Sequence, residues 1–257
     1  MATSITFDSN DLQTANIITA DISHASIPTK DLSLYALANS NKSVISNIDY
    51  PSKVIRVSGK IVGSSITDLD SRLDTFRSYF NGQEKNLDIG YNGSTRRYIA
   101  TANSVNTDRP GGLQHADFSI EFICTEPFGR NTTATSALSA NARTAASYTD
   151  TYVFVGTAPY QLPIVTITLS AVTGGTGFLS FSNSENGQGI TITDQSFVNG
   201  DVIVISSEDK TVKLNGIDID FMGAFPEFEI GSQDFSYTDG FTTRTFDYDV
   251  DYYPLYL

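Results

Sequence analysis

Asn-Gly dipeptides beside alternating runs constrain the fold of this chain more than any other feature of its sequence. Asn92-Gly93, Asn199-Gly200 and Asn215-Gly216 each adjoin runs in which apolar and polar residues alternate, such as Leu87–Tyr91 and Asp201–Ser206. Both central residues of a type I′ turn need a positive φ, which Asn and Gly adopt readily. The sequence therefore predicts a β-hairpin at each dipeptide.

Residues 68–80 carry the clearest helical pattern in the chain. Leu69, Leu73, Phe76 and Phe80 recur with a 3.6-residue period and so form one apolar stripe. Thr67 is the expected N-cap, and Gly82 is the expected stop beyond the last turn. A lone amphipathic helix must bury its stripe, so we expect it to lie on a β-sheet.

Composition predicts a mainly β protein in two parts. Residues 1–130 contain the helix and the Asn92-Gly93 hairpin. Residues 131–150 hold Leu138 as their only large aliphatic residue, which predicts a connection, part of it a strand or short helix packed on a neighbour. Residues 151–257 carry strand patterns with turn signals every 8–12 residues, which is typical of a β-sandwich.

The first fifty residues leave the secondary structure open. Leu32, Leu34 and Leu37 fit a strand and a single helical turn equally well.

Charge and hydropathy exclude two classes of partner. Residues 131–257 contain four Lys or Arg against 15 Asp or Glu, whereas residues 1–130 are nearly neutral, with 12 against 14. Binding to a phosphate backbone needs Lys and Arg, so we expect no tight binding of nucleic acid. No apolar run approaches the ~20 residues of a membrane span, so no membrane insertion is expected.

The candidate reactive and metal-binding residues of the sequence indicate neither an enzyme nor a cofactor. Cys124 falls on the apolar parity of its strand and is expected to be a buried, unreactive thiol. Phosphate loops, nucleophile elbows and zinc motifs do not occur. Asp218 and Asp220, and the period-two row Asp247, Asp249 and Asp251, lack the loop spacing of dedicated calcium sites. Outward strand faces explain these carboxylates better, so no catalytic, metal or cofactor residue is predicted.

The order of these elements resembles the distal tail protein (Dit) family of phages with long, non-contractile tails. The helix over residues 69–80, the hairpin over residues 87–102 and the strand Phe118–Cys124 with its exit through Thr125-Glu-Pro-Phe128 follow the order of that family's N-terminal half. Pro163–Ile167, the two C-terminal Asn-Gly stretches, the run from Phe225 to Gly231 and the closing Phe246–Tyr256 segment are similar to its second domain.

This resemblance implies a fold and a role. It implies an N-terminal β-sandwich with one α-helix and a β-hairpin in residues 1–130, and a galectin-like β-sandwich in residues 151–257. The N-terminal domains would form a hexameric ring that joins the tail tube protein to a tail-tip or hub protein. The second domain would dock host-adsorption proteins, a receptor-binding protein among them. The chain would be made in the host cytoplasm and reside at the tail tip of the virion.

Candidate subunit contacts come from the Asn92-Gly93 hairpin. An exposed hairpin edge invites strand addition from a neighbour, and one repeated heterologous contact closes a ring. We therefore expect residues of this hairpin to be split between the core and a subunit interface: Leu87, Ile89, Tyr91, Tyr98 and Ile99. An ordinary core role for all of them is the alternative. The alternative functions are a carbohydrate-binding and a receptor-binding β-sandwich protein.

Overall fold

A computed structural model describes residues 4–23, 27–36, 42–111, 113–174, 177–193 and 195–257. These residues form β-strands and one α-helix, so the prediction of a mainly β protein is confirmed. The chain separates into an N-terminal unit, residues 1–132 with Leu257, and a C-terminal unit, residues 133–256. Within the described ranges, no helix has the length and hydropathy needed to cross a membrane.

The N-terminal unit is built on one antiparallel sheet. Its elements are β1 (Ser4–Phe7), β2 (Asn10–Asp11), β3 (Ile17–Ile22), β4 (Asp31–Ala36), β5 (Ser43–Asp49), β6 (Lys53–Val62), α1 (Ile66–Ser78), β7 (Lys85–Tyr91), β8 (Ser94–Asp108), β9 (His115–Cys124) and β10 (Gly129–Arg130). The strand order of the sheet is β2-β1-β7-β8-β9-β6-β3, and β10 pairs with β8. Strands β4 and β5 pair only with each other among the described strands.

Helix α1 begins two residues earlier than the sequence predicts. Ser65, not Thr67, is the N-cap, and its Oγ accepts a hydrogen bond from the Asp68 N–H at 3.1 Å. The helix ends at Ser78 with Tyr79 as the C-cap, so Gly82 is not the stop. A serine that satisfies a free N–H of the first turn competes well with a β-branched threonine, which accounts for the shift.

The core of the N-terminal unit lies between α1 and the sheet. Leu69, Leu73 and Phe76 are buried, as the apolar stripe predicts. The ring centroid of Phe76 lies 4.9 Å from that of Phe118 on β9. The alternating pattern of β9 buries its apolar parity, and Cys124 is one of these buried residues.

The Asn92-Gly93 hairpin is confirmed. The two residues have φ values of 48° and 85°, as a type I′ turn requires, and they join β7 directly to β8. The open choice for residues 31–36 is settled as strand β4. Leu37, the third leucine of that pattern, lies outside the described residues.

The C-terminal unit is a sandwich of two antiparallel sheets. Its strands are β11 (Thr135–Arg143), β12 (Ser147–Phe154), β13 (Pro163–Thr173), β14 (Leu179–Asn183), β15 (Gly189–Ile192), β16 (Val202–Ser206), β17 (Thr211–Leu214), β18 (Ile217–Asp218), β19 (Met222–Gly223), β20 (Gly231–Asp239) and β21 (Thr243–Tyr252). The short strand β22 (Leu255–Tyr256) belongs to the same unit but to neither of its sheets. One sheet has the order β11-β21-β13-β16-β17-β18, and the other has the order β12-β20-β14-β15-β19.

Aromatic residues fill the space between these two sheets. The ring centroid of Phe235 lies 4.4 Å from that of Phe181 and 4.6 Å from that of Tyr152, on neighbouring strands of one sheet. Tyr248 reaches from the opposite sheet, and its hydroxyl lies 2.8 Å from that of Tyr152. The two inner faces thus form one continuous apolar core.

The two C-terminal Asn-Gly dipeptides have different roles. Asn215 and Gly216 have φ values of 51° and 82° and join β17 to β18, so that hairpin is confirmed. The hairpin predicted at Asn199-Gly200 is wrong. There the side-chain oxygen of Asn199 accepts a hydrogen bond from the Val172 N–H at 2.6 Å, beside a bulge in β13. The hydrogen bond from Val172 holds the loop around Asn199 against β13, and the chain then enters β16.

The strand that the prediction allows within residues 131–150 is present, and strands make up most of this segment. Thr135–Arg143 forms β11 along β21, and Ser147–Phe154 forms β12 along β20. Both strands stand at the ends of their sheets. Ala137, Leu138 and Tyr148 are the described hydrophobic residues of this segment that pack against the core, and the fully buried Tyr152 and Phe154 of β12 lie beyond it. No long apolar pattern therefore marks the segment.

Candidate assembly surfaces

The structure divides the five predicted contact residues of the β7–β8 hairpin between core and surface. Leu87, Ile89 and Tyr98 are buried in the N-terminal core. Tyr91 is 44% exposed, and Ile99 is half-buried. Tyr91 and Ile99 remain the residues of this set that a neighbouring chain can reach.

The β7–β8 hairpin does not offer the free edge that the prediction assumes. Strand β1 pairs with β7 from Ser4 opposite Gly90 to Phe7 opposite Leu87, so β7 has a neighbour on both sides. The partner strand comes from the start of the chain, about eighty residues away in sequence. Local hairpin signals carry no information about such a distant pairing.

Arg96 and Arg97 form a basic pair at the turn end of β8, and both side chains bind residues of their own chain. Arg97 donates two hydrogen bonds of 2.7 Å to the carboxylate of Asp88 across the hairpin. Arg96 donates to the side chain of Asn131 at 2.6 Å. These contacts disfavour a phosphate-binding role for the pair.

The hairpin of β4 and β5 is the most exposed element of the N-terminal unit, and we call it the β4–β5 arm. Every residue of both strands is exposed. The register places Leu32 opposite Ile48 and Leu34 opposite Ile45, with a shift between Ser33 and Leu34. That bulge brings Ile45 and Ile48 to the same face although their spacing is odd.

One face of the β4–β5 arm is therefore apolar, and the described residues of the chain leave it exposed. Four side chains form this face, and each is substantially exposed: Leu32 (44%), Leu34 (61%), Ile45 (50%) and Ile48 (45%). The opposite face carries Ser33 and Asn47, with Tyr35 paired to Val44 near the tip. Leu37, between β4 and β5, lies outside the described residues.

Aromatic packing holds the base of the β4–β5 arm. Tyr50 directly follows β5, and its ring centroid lies 5.1 Å from that of the buried Phe128. The ammonium of Lys30, just before β4, lies 5.9 Å from the Tyr50 ring centroid. The arm thus leaves the unit from a fixed base.

Covering the apolar face of the β4–β5 arm would stabilise it. An isolated two-stranded hairpin is marginally stable in water at best. Fully burying a Leu or Ile side chain is worth roughly 1.5–3 kcal/mol, so burying the exposed half of each is worth about 1 kcal/mol, or about 4 kcal/mol for the face. Sequence reasoning missed this surface because the bulge interrupts the period-two pattern.

The outer face of the β11-to-β18 sheet carries the period-two row of carboxylates. Asp247, Asp249 and Asp251 lie opposite Thr168, Thr166 and Ile164 on β13, and each is half-buried. Ala142 donates its backbone N–H to Asp247 at 2.7 Å. No group of side chains suited to a metal ion occurs among the described residues.

Cys124 sits in a buried, closed setting. Burial raises the pKa of its thiol to about 12, and the nearby Lys53 ammonium opposes that rise. Lys53 is itself buried, its pKa is lowered by desolvation, and its ammonium lies 5.2 Å from the centroid of the Tyr98 ring. A thiol that stays protonated at neutral pH is a poor nucleophile, so the site supports packing rather than chemistry.

Tyr148 lines a cleft where β11 turns into β12, yet its ring already has close neighbours. The guanidinium of Arg143 lies 5.0 Å from its centroid, and the Tyr237 ring stacks on it at 5.2 Å with an interplanar angle of 19°. A sugar-binding site needs a ring with an open face. This ring therefore gives the carbohydrate-binding alternative no support.

Comparisons with known proteins address the resemblance. Residues 155–253 match the family model of the siphovirus-type tail component, C-terminal domain. No curated protein sequence matches the chain. The match lies within the C-terminal unit and confirms the predicted resemblance to the distal tail protein family there.

Solved structures extend the likeness to the fold of the whole chain. The Dit protein of phage SPP1, described as a paradigm of the hub adsorption apparatus in Gram-positive infecting phages, has a TM-score of 0.72 at 12% identity, with 99% of each chain covered. A chain of the phage P2 baseplate in its activated conformation with Ca has a TM-score of 0.53 at 9% identity, with 98% of each chain covered. A chain of the same baseplate with Sr has a TM-score of 0.51 at 10% identity, with 97% of each chain covered. These likenesses show that the chain has the Dit fold.

Proposed function

We propose that this chain is a structural component of the distal end of a siphophage tail, where it forms a ring and presents docking surfaces. The exposed apolar face of the β4–β5 arm carries the proposal of self-assembly. The match of residues 155–253 to a siphovirus-type tail component and the Dit fold of the chain support the tail location. The chain is proposed to be structural rather than catalytic.

In the proposed ring, the β4–β5 arm of one subunit lies on the next subunit, and the contact repeats around the ring. The arm has no partner strand beyond its own hairpin among the described residues. A contact between the arm and a different surface of the next subunit is heterologous and closes into a ring when the rotation allows. Six subunits are the number that the family resemblance implies. Tyr91 and Ile99 are candidate residues of the receiving surface.

The ring is proposed to join the tail tube protein to a tail-tip or hub protein, with the C-terminal unit docking a host-adsorption or receptor-binding protein. The C-terminal unit suits docking because it is a sandwich with its own core. The proposed location is the tail tip of the virion, after synthesis in the host cytoplasm. A galectin-like character of the sandwich remains a prediction.

The ring is further proposed to let DNA pass without binding it. On the outer side of β6 and β9, Arg56 pairs with Glu121 at 2.8 Å and Lys60 with Asp117 at 3.7 Å. Cations that face carboxylates across the strands release few counterions from DNA. An electrophoretic shift of duplex DNA at low salt would contradict this part of the proposal.

Substitutions on the two faces of the β4–β5 arm test self-assembly. Sedimentation of the full chain at micromolar concentration is expected to give a species several times 27.9 kDa. Leu34→Asp places a charge on the apolar face and should return the chain to the monomer. Ser33→Asp places the same charge on the neighbouring residue of the opposite face and should assemble like the unaltered chain.

Two outcomes would contradict the proposed assembly. One is a monomer of 27.9 kDa for the unaltered chain at every concentration. The other is an assembly that Leu34→Asp and Ser33→Asp affect equally, since then the apolar face would not be the contact.

A further inference from the structure

Strand β12 of the C-terminal unit is a long edge strand. It pairs with β20 in unbroken register from Ser147 opposite Thr238 to Phe154 opposite Gly231. No strand in the described part of the chain pairs with its other side. An edge of this kind presents a row of backbone N–H and C=O groups to any extended chain nearby.

The other sheet ends in this unit carry features that prevent strand addition. Strands β18 and β19 are two residues long. Strand β11 is broken by register shifts between Ser136 and Leu138 and between Ala140 and Arg143, and Ala142 has a φ of 54°. Short edge strands and bulges are the usual protection against edge pairing. In the described residues, β12 has neither of them.

The sequence of β12 suits pairing on its free side. The strand, Ser-Tyr-Thr-Asp-Thr-Tyr-Val-Phe, contains no Lys, Pro or Gly, and its one charged side chain, Asp150, lies on the inward face, where Arg143 pairs with it. Its outward side chains are Ser147, Thr149, Thr151 and Val153, of which Val153 is 65% exposed. Thr and Val are among the strongest strand formers, and a neighbouring strand packs readily against them.

A cleft of about 420 Å³ opens where β11 turns into β12. Its lining includes Leu138, Arg143, Thr144 and Tyr148. Arg143 crosses this corner and donates hydrogen bonds of 3.0 and 2.9 Å to the two carboxylate oxygens of Asp150 on β12. An added strand would have room there for an inward-pointing side chain.

We propose that the free edge of β12 binds an extended segment of a different tail protein by strand addition, with a side chain of that segment in the β11–β12 cleft. The choice of a tail protein as partner rests on the proposed function, whereas the site rests on the edge itself. Backbone hydrogen bonds give affinity in this mode of recognition, and pockets for alternate side chains give specificity.

Charge determines which partner fits the β12 edge. Residues 131–257 carry four Lys or Arg against 15 Asp or Glu, a net charge of −11. A second copy of the same unit would bring −11 against −11, which opposes edge-to-edge pairing of two copies. A neutral or basic segment meets attraction instead, so the partner is a different protein with lysine or arginine near the pairing strand.

Binding of a designed peptide to the full chain tests the site. The probe is a fluorescein-labelled nonapeptide, Lys-Thr-Val-Thr-Val-Thr-Val-Thr-Lys, followed by fluorescence anisotropy. We expect saturable binding, and binding at least tenfold weaker when Glu replaces both Lys residues. A peptide N-methylated at consecutive residues keeps the side chains but loses the backbone donors, and it should not bind.

Matched lysine substitutions locate the binding edge. Val153→Lys places the usual guard residue on β12 and should weaken peptide binding at least tenfold. Thr191→Lys adds the same charge to the same outer face on the interior strand β15 and should leave binding unchanged. Circular dichroism and the assembly mass check that both variants stay folded.

Several results would overturn the inference. They are no peptide binding, equal binding of the N-methylated peptide, and equal binding to the Val153→Lys variant. Self-association of the chain that Val153→Lys abolishes would identify a second copy as the occupant and would also overturn it. A failure here leaves the Leu34→Asp and Ser33→Asp comparison unaffected, so it is distinct from a failure of the proposed ring.

Discussion

Replacing Phe76 with alanine should destabilise the N-terminal unit selectively. Phe76 is 1% exposed, and its ring centroid lies 4.9 Å from that of Phe118 and 5.1 Å from that of Phe80. Alanine would leave a cavity between helix and sheet that these neighbours cannot fill without leaving their own contacts. A Phe-to-Ala change in such a core costs about 3–5 kcal/mol.

This cost translates into a large change in melting temperature. The N-terminal unit has about 132 residues, and unfolding entropy near ~60 °C is about 2.1 cal/mol/K per residue, which gives about 0.28 kcal/mol/K. A loss of about 3–5 kcal/mol therefore lowers the melting temperature of this unit by roughly 11–18 °C. The C-terminal core contains none of these residues.

Differential scanning calorimetry of the full chain measures both units at once. We expect two transitions, of which Phe76→Ala lowers one by the stated amount and leaves the other in place. Thr75→Ala, at an exposed helix position, is the control and should change either transition by less than about 2 °C. A shift below about 4 °C, or an equal shift of both transitions, would refute the packing and the separate cores.

Three further predictions concern single groups. The Cys124 thiol, whose pKa burial raises to about 12, should react with an aromatic disulfide reagent only as the N-terminal unit unfolds; rapid labelling of the folded chain would contradict its burial. Arg244→Met should cost about 3–5 kcal/mol in urea unfolding of the C-terminal unit, because it leaves the fully buried Asp239 carboxylate without the guanidinium 2.8 Å away; a loss below about 1 kcal/mol would argue against this. A hydrogen bond from the Ser64 backbone N–H is the largest cause that lowers the pKa of Asp68 below its ordinary value of 3.8. The Asp68 carboxylate therefore stabilises the folded chain above pH 3.8, and this stabilisation is lost as the pH falls through the lower pKa of the folded state. Asp68→Asn should remove that part of the acid dependence of melting, and identical pH profiles of both proteins would contradict it.

Local signals predict the local structure of this chain well. Asn92-Gly93 and Asn215-Gly216 both adopt the left-handed conformation that their hairpins need, because Asn and Gly accept the positive φ values of a type I′ turn more readily than other residues. The stripe of Leu69, Leu73 and Phe76 is buried as its period predicts. Asn199-Gly200 shows the limit: the same dipeptide serves a loop once its side chain finds a partner on a distant strand.

The assembly surface could not be predicted from the sequence, because it depends on which strands pair and in which register. Leu87 and Ile89 lie on the inward face of β7, and β1, from the start of the chain, occupies the edge of that strand. The β4–β5 arm escapes recognition because a bulge places Ile45 and Ile48 on one face despite their odd spacing. Both facts depend on register, which the alternation of residue types within a single strand does not specify.

Hydrogen–deuterium exchange of the β4–β5 arm tests the central claim most directly. Uptake in Asp31–Ala36 and Ser43–Asp49 is compared between a dilute sample of monomers and a concentrated sample of the assembled chain, with Ala100 of β8 as an internal reference within the core sheet. We expect exchange in both arm strands to slow markedly on assembly while the reference stays constant. Equal exchange of the arm in both samples would contradict the account, because an arm covered by a neighbouring subunit cannot remain as open to water as a free one.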